Sequence, residues 1–409
     1  MLAHPSRRAV LATGGALFAS AYLPAFAAAP GARDARFVVI NLRGGLDALS
    51  TVAPLGDPRY AELRGPLALE AGGANPALPL DGFFALNPSM PTFARLYRAG
   101  QGAIVHAVAT PYRERSHFDA QDVLESGLPR PVSNARDGWL NRAIAAIPAG
   151  ARVAARGGLA IGATTPLILR GPAPVIGWAP QILPNASDDL AMRVLDLYRH
   201  ADPALAQALA RGLETERIAS RMGMQGGDMN KPRGGLESIP GMRQAAQGAA
   251  RLIAADDGPR IAALSFTGWD THANEGPLDG RLSNLLKGLD GAIEEFESGL
   301  GPLWKDTALL IVTEFGRTAR VNGTIGTDHG TATLAFLAGG AVKGGRVIAD
   351  WPGLADGQLH EGRDLRPTTD LRAIAKGLLA ELFGVAAAAL DRDVFPDSAA
   401  APAMKGLIA

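Results

Sequence analysis

Apolar runs alternate with helical patterns along most of this sequence, and this alternation constrains the fold more than any other feature. Residues 36–42 read Arg-Phe-Val-Val-Ile-Asn-Leu, and such a largely apolar run is typical of a strand that is buried on both faces. Further strands are predicted at residues 102–108, 158–170, 174–178, 260–266, 307–313, 331–337 and 346–349. Helices are predicted between them at residues 91–99, 119–125, 138–147, 187–200, 203–221, 238–255, 282–300 and 369–382. The pattern predicts an α/β fold with a mostly parallel central sheet that is covered by helices on both sides.

The first residues differ from the rest of the chain. Arg7 and Arg8 precede an apolar stretch from Ala9 to Ala29, which closes on the small-residue pattern Ala25-Phe26-Ala27. A basic region, a modest apolar region and a small-x-small end are typical of a cleavable export signal, and paired arginines indicate the twin-arginine type. We therefore expect residues 1–29 to be a twin-arginine signal peptide that is read by the twin-arginine export machinery. The mature protein would then be periplasmic or secreted.

The remainder, residues 30–409, is predicted to be one α/β domain. Three long helical patterns follow one another at about residues 187–255 and predict a helical insertion. Outside the signal, no run of about 20 consecutive apolar residues occurs, so we expect no membrane span after signal removal.

Charge and cysteine content exclude several classes of protein. The chain of 409 residues carries 40 basic and 40 acidic side chains, so its formal net charge is zero. This balance argues against a nucleic-acid partner, because such proteins carry a surplus of positive charge. The chain has no cysteine, which excludes disulfides, a thiolate nucleophile and any zinc site that uses cysteine.

Acidic and imidazole side chains lie at the ends of predicted strands, where doubly wound sheets bind their ligands. They are Asp47, Asp270 with His272, Glu314, and Asp328 with His329. Imidazoles and carboxylates without thiolates suit a divalent ion, either zinc or manganese, or calcium or magnesium if oxygens dominate. We therefore predict a metal site formed by Asp47, Asp270, His272, Asp328 and His329. In the alternative interpretation, the aspartates are turn or N-cap residues and the histidines are structural.

A second group of candidates surrounds the predicted start of a helix. Ser116 precedes Asp119 by three residues, a spacing typical of a capping box. Alternatively, a hydroxyl at a helix N-terminus can attack or hold a phosphate or sulfate ester, because the free N–H groups favour an anion. His117 would then orient the substrate or bind the metal.

Three arginines near these turns are candidate anion clamps: Arg43, Arg115 and Arg317.

Taken together, these motifs resemble the exported DUF1501 proteins. The segments that carry the resemblance are Leu42-Arg43-Gly44-Gly45-Leu46-Asp47, Ser116-His117-Phe118-Asp119-Ala120-Gln121, Gly268-Trp269-Asp270-Thr271-His272-Ala273-Asn274, Thr313-Glu314-Phe315-Gly316-Arg317 and Gly326-Thr327-Asp328-His329-Gly330. The later stretch from Gly344-Gly345 to Trp351-Pro352 and the segment Thr369-Asp370-Leu371-Arg372 also resemble that family. The resemblance implies membership of the alkaline phosphatase and sulfatase superfamily. It thus implies a three-layer α/β/α sandwich, one or two divalent metals held at strand ends, and a nucleophile at a helix N-terminus.

Several residues match positions of that superfamily. Asp47 is similar to the first-strand aspartate, Asp270 with His272 to the middle ligands, and His329 to the late histidine ligand. Ser116 is the hydroxyl nearest to the nucleophile position. The chain departs from the pattern where Glu314-Phe315 stands in place of an Asp-His dipeptide. The missing cysteine also excludes a formylglycine nucleophile.

Two hypotheses of function follow from these candidates. In the first, the protein is an exported metal-dependent hydrolase of a phosphate or sulfate ester, with Ser116 as the nucleophile. Glu314 is then a ligand or general base, Arg317 neutralises charge on the transferred group, and Arg43, Arg115 and His117 bind the anionic substrate. In the second, it is an inactive periplasmic binding or assembly factor that keeps the fold and partners another exported protein. Phe315 favours this second hypothesis, because its ring binds no metal.

Overall fold

The protein is an α/β/α sandwich built on one large sheet. The computed structural model describes residues 33–148, 157–180, 188–221 and 233–409, so the predicted signal at 1–29 lies outside the described residues. The described part of the chain contains twelve strands, in chain order β1 Arg36–Leu42, β2 Val52–Ala53, β3 Leu78–Pro79, β4 Ala85–Leu86, β5 Gly102–Ala109, β6 Gly158–Ile161, β7 Val175–Trp178, β8 Ile261–Phe266, β9 Thr307–Val312, β10 Thr333–Ala338, β11 Arg346–Ile348 and β12 Thr369–Asp370. Nine of these strands form the large sheet, and β2, β3 and β4 form a small separate one.

The helices cover both faces of the large sheet. Those in the described residues are α1 Ala48–Thr51, α2 Tyr60–Arg64, α3 Pro91–Arg98, α4 His117–Ser126, α5 Trp139–Ala146, α6 Asp188–Ala201, α7 Pro203–Arg221, α8 Ile239–Ala254, α9 Arg281–Leu300, α10 Leu371–Phe383 and α11 Ala387–Ala389. Short 3₁₀ or π turns occur at Gly65–Leu67, Leu167–Leu169, Gly301–Asp306, Asp356–Gln358 and Leu390–Val394. None of the described helices combines the length and the hydrophobicity needed to cross a bilayer.

The large sheet is mostly parallel, as the alternating pattern predicts. Its order is β11-β5-β10-β9-β1-β8-β6-β7, and β12 pairs with the end of β5. β1 lies in the middle and pairs in parallel with β8 and β9. The exception is β10, which runs antiparallel to both β5 and β9. The carboxyl ends of β1, β8 and β9 therefore meet at one edge of the sheet.

β1 shows how the central strand is buried on both faces. Val38, Ile40 and Leu42 pack in one core cluster together with α3, α8 and α9. Phe37 and Val39 point to the other face and pack with α5 and α10. Successive side chains of a strand point to opposite faces, so a continuous apolar run serves both cores.

Two predicted elements differ from the structure. The predicted strand at 158–170 is shorter, because β6 ends at Ile161 and Leu167–Leu169 form a 3₁₀ turn. Pro166, which has no N–H to donate to a strand neighbour, lies between them. In the predicted insertion, α6 and α7 have nearly the expected bounds, but α8 is a core helix, since Met242, Ala246 and Ala249 are completely buried.

Candidate metal centre

The loops after β1 and β8 pack tightly enough to place Asp270 at the carboxyl edge of the sheet. Gly44 has a φ of +130°, and a Cβ atom at this position would lie 2.4 Å from the backbone nitrogen of Asp270. The neighbouring Trp269 N–H donates to the Arg43 carbonyl at 3.3 Å. Only glycine allows this close approach of two backbones, so Gly44 is part of what positions Asp270.

His329 is brought to the same edge of the sheet by the pairing of two other segments, residues 316–318 and 328–330. Arg317, which follows β9, and His329 face each other in an antiparallel bridge. Around this bridge, the Thr318 N–H donates to the Asp328 carbonyl at 2.9 Å and the Gly330 N–H donates to the Gly316 carbonyl at 2.8 Å. The segment 328–330 is thereby held beside the carboxyl end of β9.

His117 enters from α4, of which it is the first residue. Ligand atoms of His117, Asp270 and His329 all lie within 4.8 Å of one another. The Nε2 atom of His117 is 3.5 Å from Oδ2 of Asp270, and that of His329 is 3.4 Å from Oδ1. His272 joins them, with its Nε2 atom 3.1 Å from Oδ1 of Asp270 and 3.0 Å from Nε2 of His329. Three imidazoles thus converge on one carboxylate.

Each of these imidazoles is oriented by an oxygen at its other nitrogen. The Nδ1 atom of His117 is 2.8 Å from Oε1 of Glu314, and that of His272 is 3.3 Å from Oδ1 of Asp328. The Nδ1 atom of His329 is 3.0 Å from the Arg115 carbonyl. Carbonyls and ionised carboxylates only accept hydrogen bonds, so each Nδ1 carries the proton. In the neutral form of each ring the Nε2 lone pair then faces Asp270, which is the usual arrangement around metal-binding histidines.

This donor set fits a divalent ion. The Nε2 atoms of His272 and His329 are only 3.0 Å apart, and two lone pairs this close repel each other unless a proton or a metal ion lies between them. The Nε2 atom of His117 is also buried, and at 3.5 Å from Oδ2 of Asp270 it is at the outer limit of a hydrogen bond. A buried polar atom normally has a closer partner, so a cation held between His117 and Asp270 fits this spacing.

The electrostatics of the cluster keep its carboxylates ionised. Burial raises the pKa of Asp270, but hydrogen bonds from His117, His329 and Arg317 outweigh burial and hold this pKa well below its usual range. Hydrogen bonds to Asp270 and then to Glu314 raise the pKa of His117 to about 9. In the metal-free protein, His117 is therefore doubly protonated. A metal ion would have to displace the proton on Nε2.

Two predicted catalytic residues, Glu314 and Arg317, are buried and contact the candidate ligands His117 and Asp270. Glu314 is completely buried, accepts from Gly44 N–H at 2.9 Å and faces His117. The guanidinium of Arg317 is also buried and pairs with Oδ1 of Asp270 at 2.7 Å. The structure thus places Glu314 and Arg317 as partners of candidate ligands.

Two of the five predicted ligands lie outside the convergent group. Asp47 is 2% exposed, caps α1 through the N–H groups of Leu49 and Ser50, and pairs with the buried Arg64. An arginine held against this carboxylate takes the place that a metal ion would need. Asp328 lies behind His272, and its Oδ1 atom accepts from Asn322 at 3.1 Å. In their place the structure brings in His117, which the sequence pattern had favoured for substrate binding.

Ser116 occupies the N-cap position of α4, beside His117, but its side chain makes no capping hydrogen bond. The capping box that the Ser-x-x-Asp spacing indicates is therefore wrong. The hydroxyl instead lies against Tyr112, whose phenol also contacts Asp119 at 3.2 Å.

The predicted anion clamps differ in their surroundings. Arg115 pairs with Glu361 and, at 2.8 Å, with the buried Asp364, so its charge is already compensated. Arg43 donates to Gln121 and is 38% exposed. A cavity of about 470 Å³ opens next to Arg43 and Gln121 and is also lined by Arg170 and Thr267. Of the three predicted clamps, Arg43 is the one that faces open space.

Sequence reasoning missed four residues that support the centre: the buried Arg64, Glu275 and Thr327 and the partly buried Gln121. Gln121 donates to Glu314 at 3.2 Å and accepts from Arg43. Glu275 follows the Asp-x-His motif by three residues, which was the only signal that could have pointed to it. Nothing in the pattern around Arg64 distinguishes it from a surface arginine.

Three solved structures show a distant likeness to this chain. A phosphonate monoester hydrolase of Agrobacterium radiobacter is 13% identical, with 86% of this chain and 74% of that chain covered at a TM-score of 0.37. The PsFucS1 sulfatase from Pseudoalteromonas sp. is 12% identical, with 85% and 68% covered at a TM-score of 0.37. A protein in the alkaline phosphatase superfamily from Vibrio parahaemolyticus is 14% identical, with 76% and 60% covered at a TM-score of 0.30.

Among curated proteins, no relative matches the sequence. One protein family does, and its match extends over residues 34–394, which include every residue of the candidate metal centre. The chain therefore belongs to the DUF1501 family, which is described as a family of unknown function.

Proposed function

We propose that this protein is an exported, metal-dependent hydrolase that acts on a phosphate or sulfate ester. The observation that carries the proposal is the convergence of three Nε2 atoms on Asp270, each with its Nδ1 proton held by an oxygen. Such pre-oriented imidazoles are costly to gather unless they bind a cation. The cluster is also open to solvent, because Asp270 is 39% exposed and His272 is 45% exposed.

The donor set favours a transition metal. The range of candidate ions narrows, because nitrogen donors outnumber carboxylates at the convergence point and imidazole suits zinc better than calcium or magnesium. His117, His272, His329 and Asp270 would hold the ion. A bound ion would supply Lewis-acid stabilisation of the charge on the ester oxygens.

The protein's own groups support the binding and attack of an anionic ester. Ser116 lies at the N-terminus of α4, whose first N–H groups and macrodipole favour an anion. Its hydroxyl is not used as a cap, and we propose it as the nucleophile. The cavity beside Arg43 and Arg170 would accept the alcohol part of the ester.

Export is the second part of the proposal. It is supported by the pattern Arg7-Arg8 before the apolar stretch that ends at Ala29. Replacing both arginines by lysine should retain the full-length protein in the cytoplasm, whereas the wild-type chain should be found in the periplasm in a shortened form. Equal distribution of the two proteins would overturn a twin-arginine route.

One observation favours the alternative hypothesis, an inactive binding or assembly factor. The Phe315 ring is buried and packs on His117 and His329 at centroid distances of 4.7 Å and 5.1 Å. Because the apolar Phe315 ring occupies this side of the cluster, fewer metal-binding groups fit there than a two-metal centre uses. A single ion could then serve recognition of a partner without turnover.

Metal analysis separates these possibilities. We expect the wild-type protein, purified and dialysed, to retain about one divalent ion per chain, and expect Asp270→Asn and His329→Ala to lose it. His200→Ala is a matched control, because His200 lies on α6 and bonds to the Asp196 carbonyl. A wild-type protein that binds no zinc or manganese would overturn the metal centre. Retained metal without turnover of a broad panel of phosphate and sulfate esters would support the binding factor.

A further inference from the structure

The guanidinium of Arg317 is held on three sides. Its Nη1 atom donates to Oδ1 of Asp270 at 2.7 Å and its Nε atom donates to the Thr327 hydroxyl at 3.2 Å. Its Nη2 atom donates to the Thr327 carbonyl. The Arg317 side chain is completely buried. The direction in which it presents Nη1 to Asp270 therefore depends mainly on Thr327.

The Thr327 hydroxyl is in turn oriented by Glu275. It donates its one proton to Oε2 of Glu275 at 2.7 Å, which turns its lone pairs toward the Nε–H of Arg317. The Thr271 hydroxyl donates to the same Oε2 atom at 3.3 Å. Without an acceptor at this position, the Thr327 hydroxyl could rotate and leave Arg317 Nε unpaired.

The other end of the Glu275 carboxyl group lies beside Arg64. The side chain is completely buried, and its Oε1 atom is 3.8 Å from Nη2 of Arg64, which is within ion-pair distance but beyond hydrogen-bond distance. Arg64 is itself fixed by Asp47 and by the carbonyls of Thr318 and Ala319. A continuous line of buried polar groups thus runs from the small helix α2 to the metal centre.

We propose that Thr327 and Glu275 are positioning residues that set the orientation of Arg317 and, through it, of the Asp270 carboxylate. The proposal rests on the metal centre described above. Outer partners of metal ligands typically change metal affinity by about 10- to 100-fold. The line of contacts connects these two buried residues to Asp270 through Arg317.

The test compares two substitutions of Thr327. Thr327→Val keeps the shape but removes the hydroxyl, and we expect it to weaken Zn²⁺ binding by about 10-fold in calorimetry. Thr327→Ser restores a hydroxyl and should bind within about 3-fold of wild type. Thr307→Val is the matched control, because Thr307 is also completely buried and its hydroxyl donates to the Leu303 carbonyl at the opposite end of β9.

A second measurement needs no metal. The Nε–H group of Arg317 should exchange with solvent faster in Thr327→Val than in Thr327→Ser, as followed by NMR on arginine-labelled protein. Equal Zn²⁺ affinity in Thr327→Val and Thr307→Val would overturn the proposal. If wild-type protein binds no Zn²⁺, the metal centre is overturned and the exchange rates alone test the positioning role. Equal rates in the two variants would then overturn that role, and a faster rate in Thr327→Val would support it.

Glu275→Leu is the second variant if Thr327→Val does not fold. It removes both carboxyl oxygens, so the residue at this position can no longer accept the proton of the Thr327 hydroxyl. We expect a several-fold loss of Zn²⁺ affinity with secondary structure retained in circular dichroism. Glu275→Gln is its matched control, because the amide oxygen still accepts from Thr327, and it should bind Zn²⁺ as wild type does. Equal, wild-type affinity in both folded variants would contradict the proposed role of Glu275.

Discussion

Oε1 of Glu314 lies 2.8 Å from Nδ1 of His117, and the carboxylate is completely buried while the imidazole is 24% exposed. The Glu314 carboxylate thus contacts His117 from the buried side of the cluster and orients Nε2 of the ring toward Asp270. A carboxylate that binds Nδ1 while Nε2 faces the metal position is the usual arrangement around metal-bound histidines.

Metal binding should therefore release a proton from His117. Hydrogen bonds to Asp270 and Glu314 raise the pKa of His117 to about 9, so at pH 7.5 the metal-free imidazole is protonated and the ion must displace one proton. We expect about one proton per bound Zn²⁺, measured by calorimetry in buffers of different ionisation enthalpy. His117→Gln should bind more weakly and release less. Identical heats in all buffers for wild type would contradict this.

Ser116→Ala should separate catalysis from stability. Since Ser116 makes no capping hydrogen bond, we expect the free energy of unfolding to change by less than about 0.5 kcal/mol, below the ~1 kcal/mol typical of a lost cap. Metal content should stay at the wild-type level, because the side chain is not among the convergent ligands. Turnover of any ester that wild type hydrolyses should fall at least about 10³-fold. Undiminished turnover would exclude Ser116 as the nucleophile.

The buried acid Glu275 should make stability depend on pH. Burial and then the neighbouring Asp47 raise the pKa of Glu275 from 4.5 to about 8. The folded protein then keeps a proton that the unfolded chain releases, so the free energy of unfolding should fall as pH rises from about 4.5 to about 8. Urea titrations at pH 5 and pH 8 should show a smaller fall for Glu275→Gln. Glu70→Gln, in an exposed loop, is the control, and equal falls in all three proteins would refute the assignment.

Gly44→Ala should disrupt the centre through the backbone. A φ of +130° is unfavourable for alanine, and its Cβ would lie 2.4 Å from Asp270 N. The backbone conformation alone costs about 1–3 kcal/mol, and the loop that carries Asp270 must move. We expect lower thermal stability and loss of metal. Gly323→Ala is the control, because nothing lies within 4 Å of a Cβ there, and its melting temperature should be unchanged. Equal behaviour of the two variants would contradict this role of Gly44.

Much of the fold followed from local hydrophobic patterns. Strands such as β1 and helices such as α7 have the predicted bounds, because burial on one or both faces determines where apolar residues recur. The antiparallel direction of β10 was not predictable in this way, since its pairing with β5 joins residues far apart in the chain. His106 lies in the apolar run of β5 and is completely buried, and burial lowers its pKa to about 4.

The candidate site was predictable in part. Asp270, His272 and His329 stand in short motifs after or between buried strands, and parallel strands bring their carboxyl ends to one edge. Asp47 stands in a similar motif, yet it is paired with Arg64. The motif could not indicate this, because the partner arrives from α2 through tertiary packing.

The sequence by itself determined which segments become strands and helices and that acids and imidazoles gather at one edge of the sheet, because both depend on local periodicity and on where strands end. Only the tertiary structure decided which of these side chains face one another. His117 joins Asp270, and Asp328 turns behind His272, because rotamers, loop contacts such as that of Gly44, and buried partners such as Arg64 and Glu314 orient each group. A metal site needs donor atoms within a few ångströms of one point, and that precision comes from long-range packing.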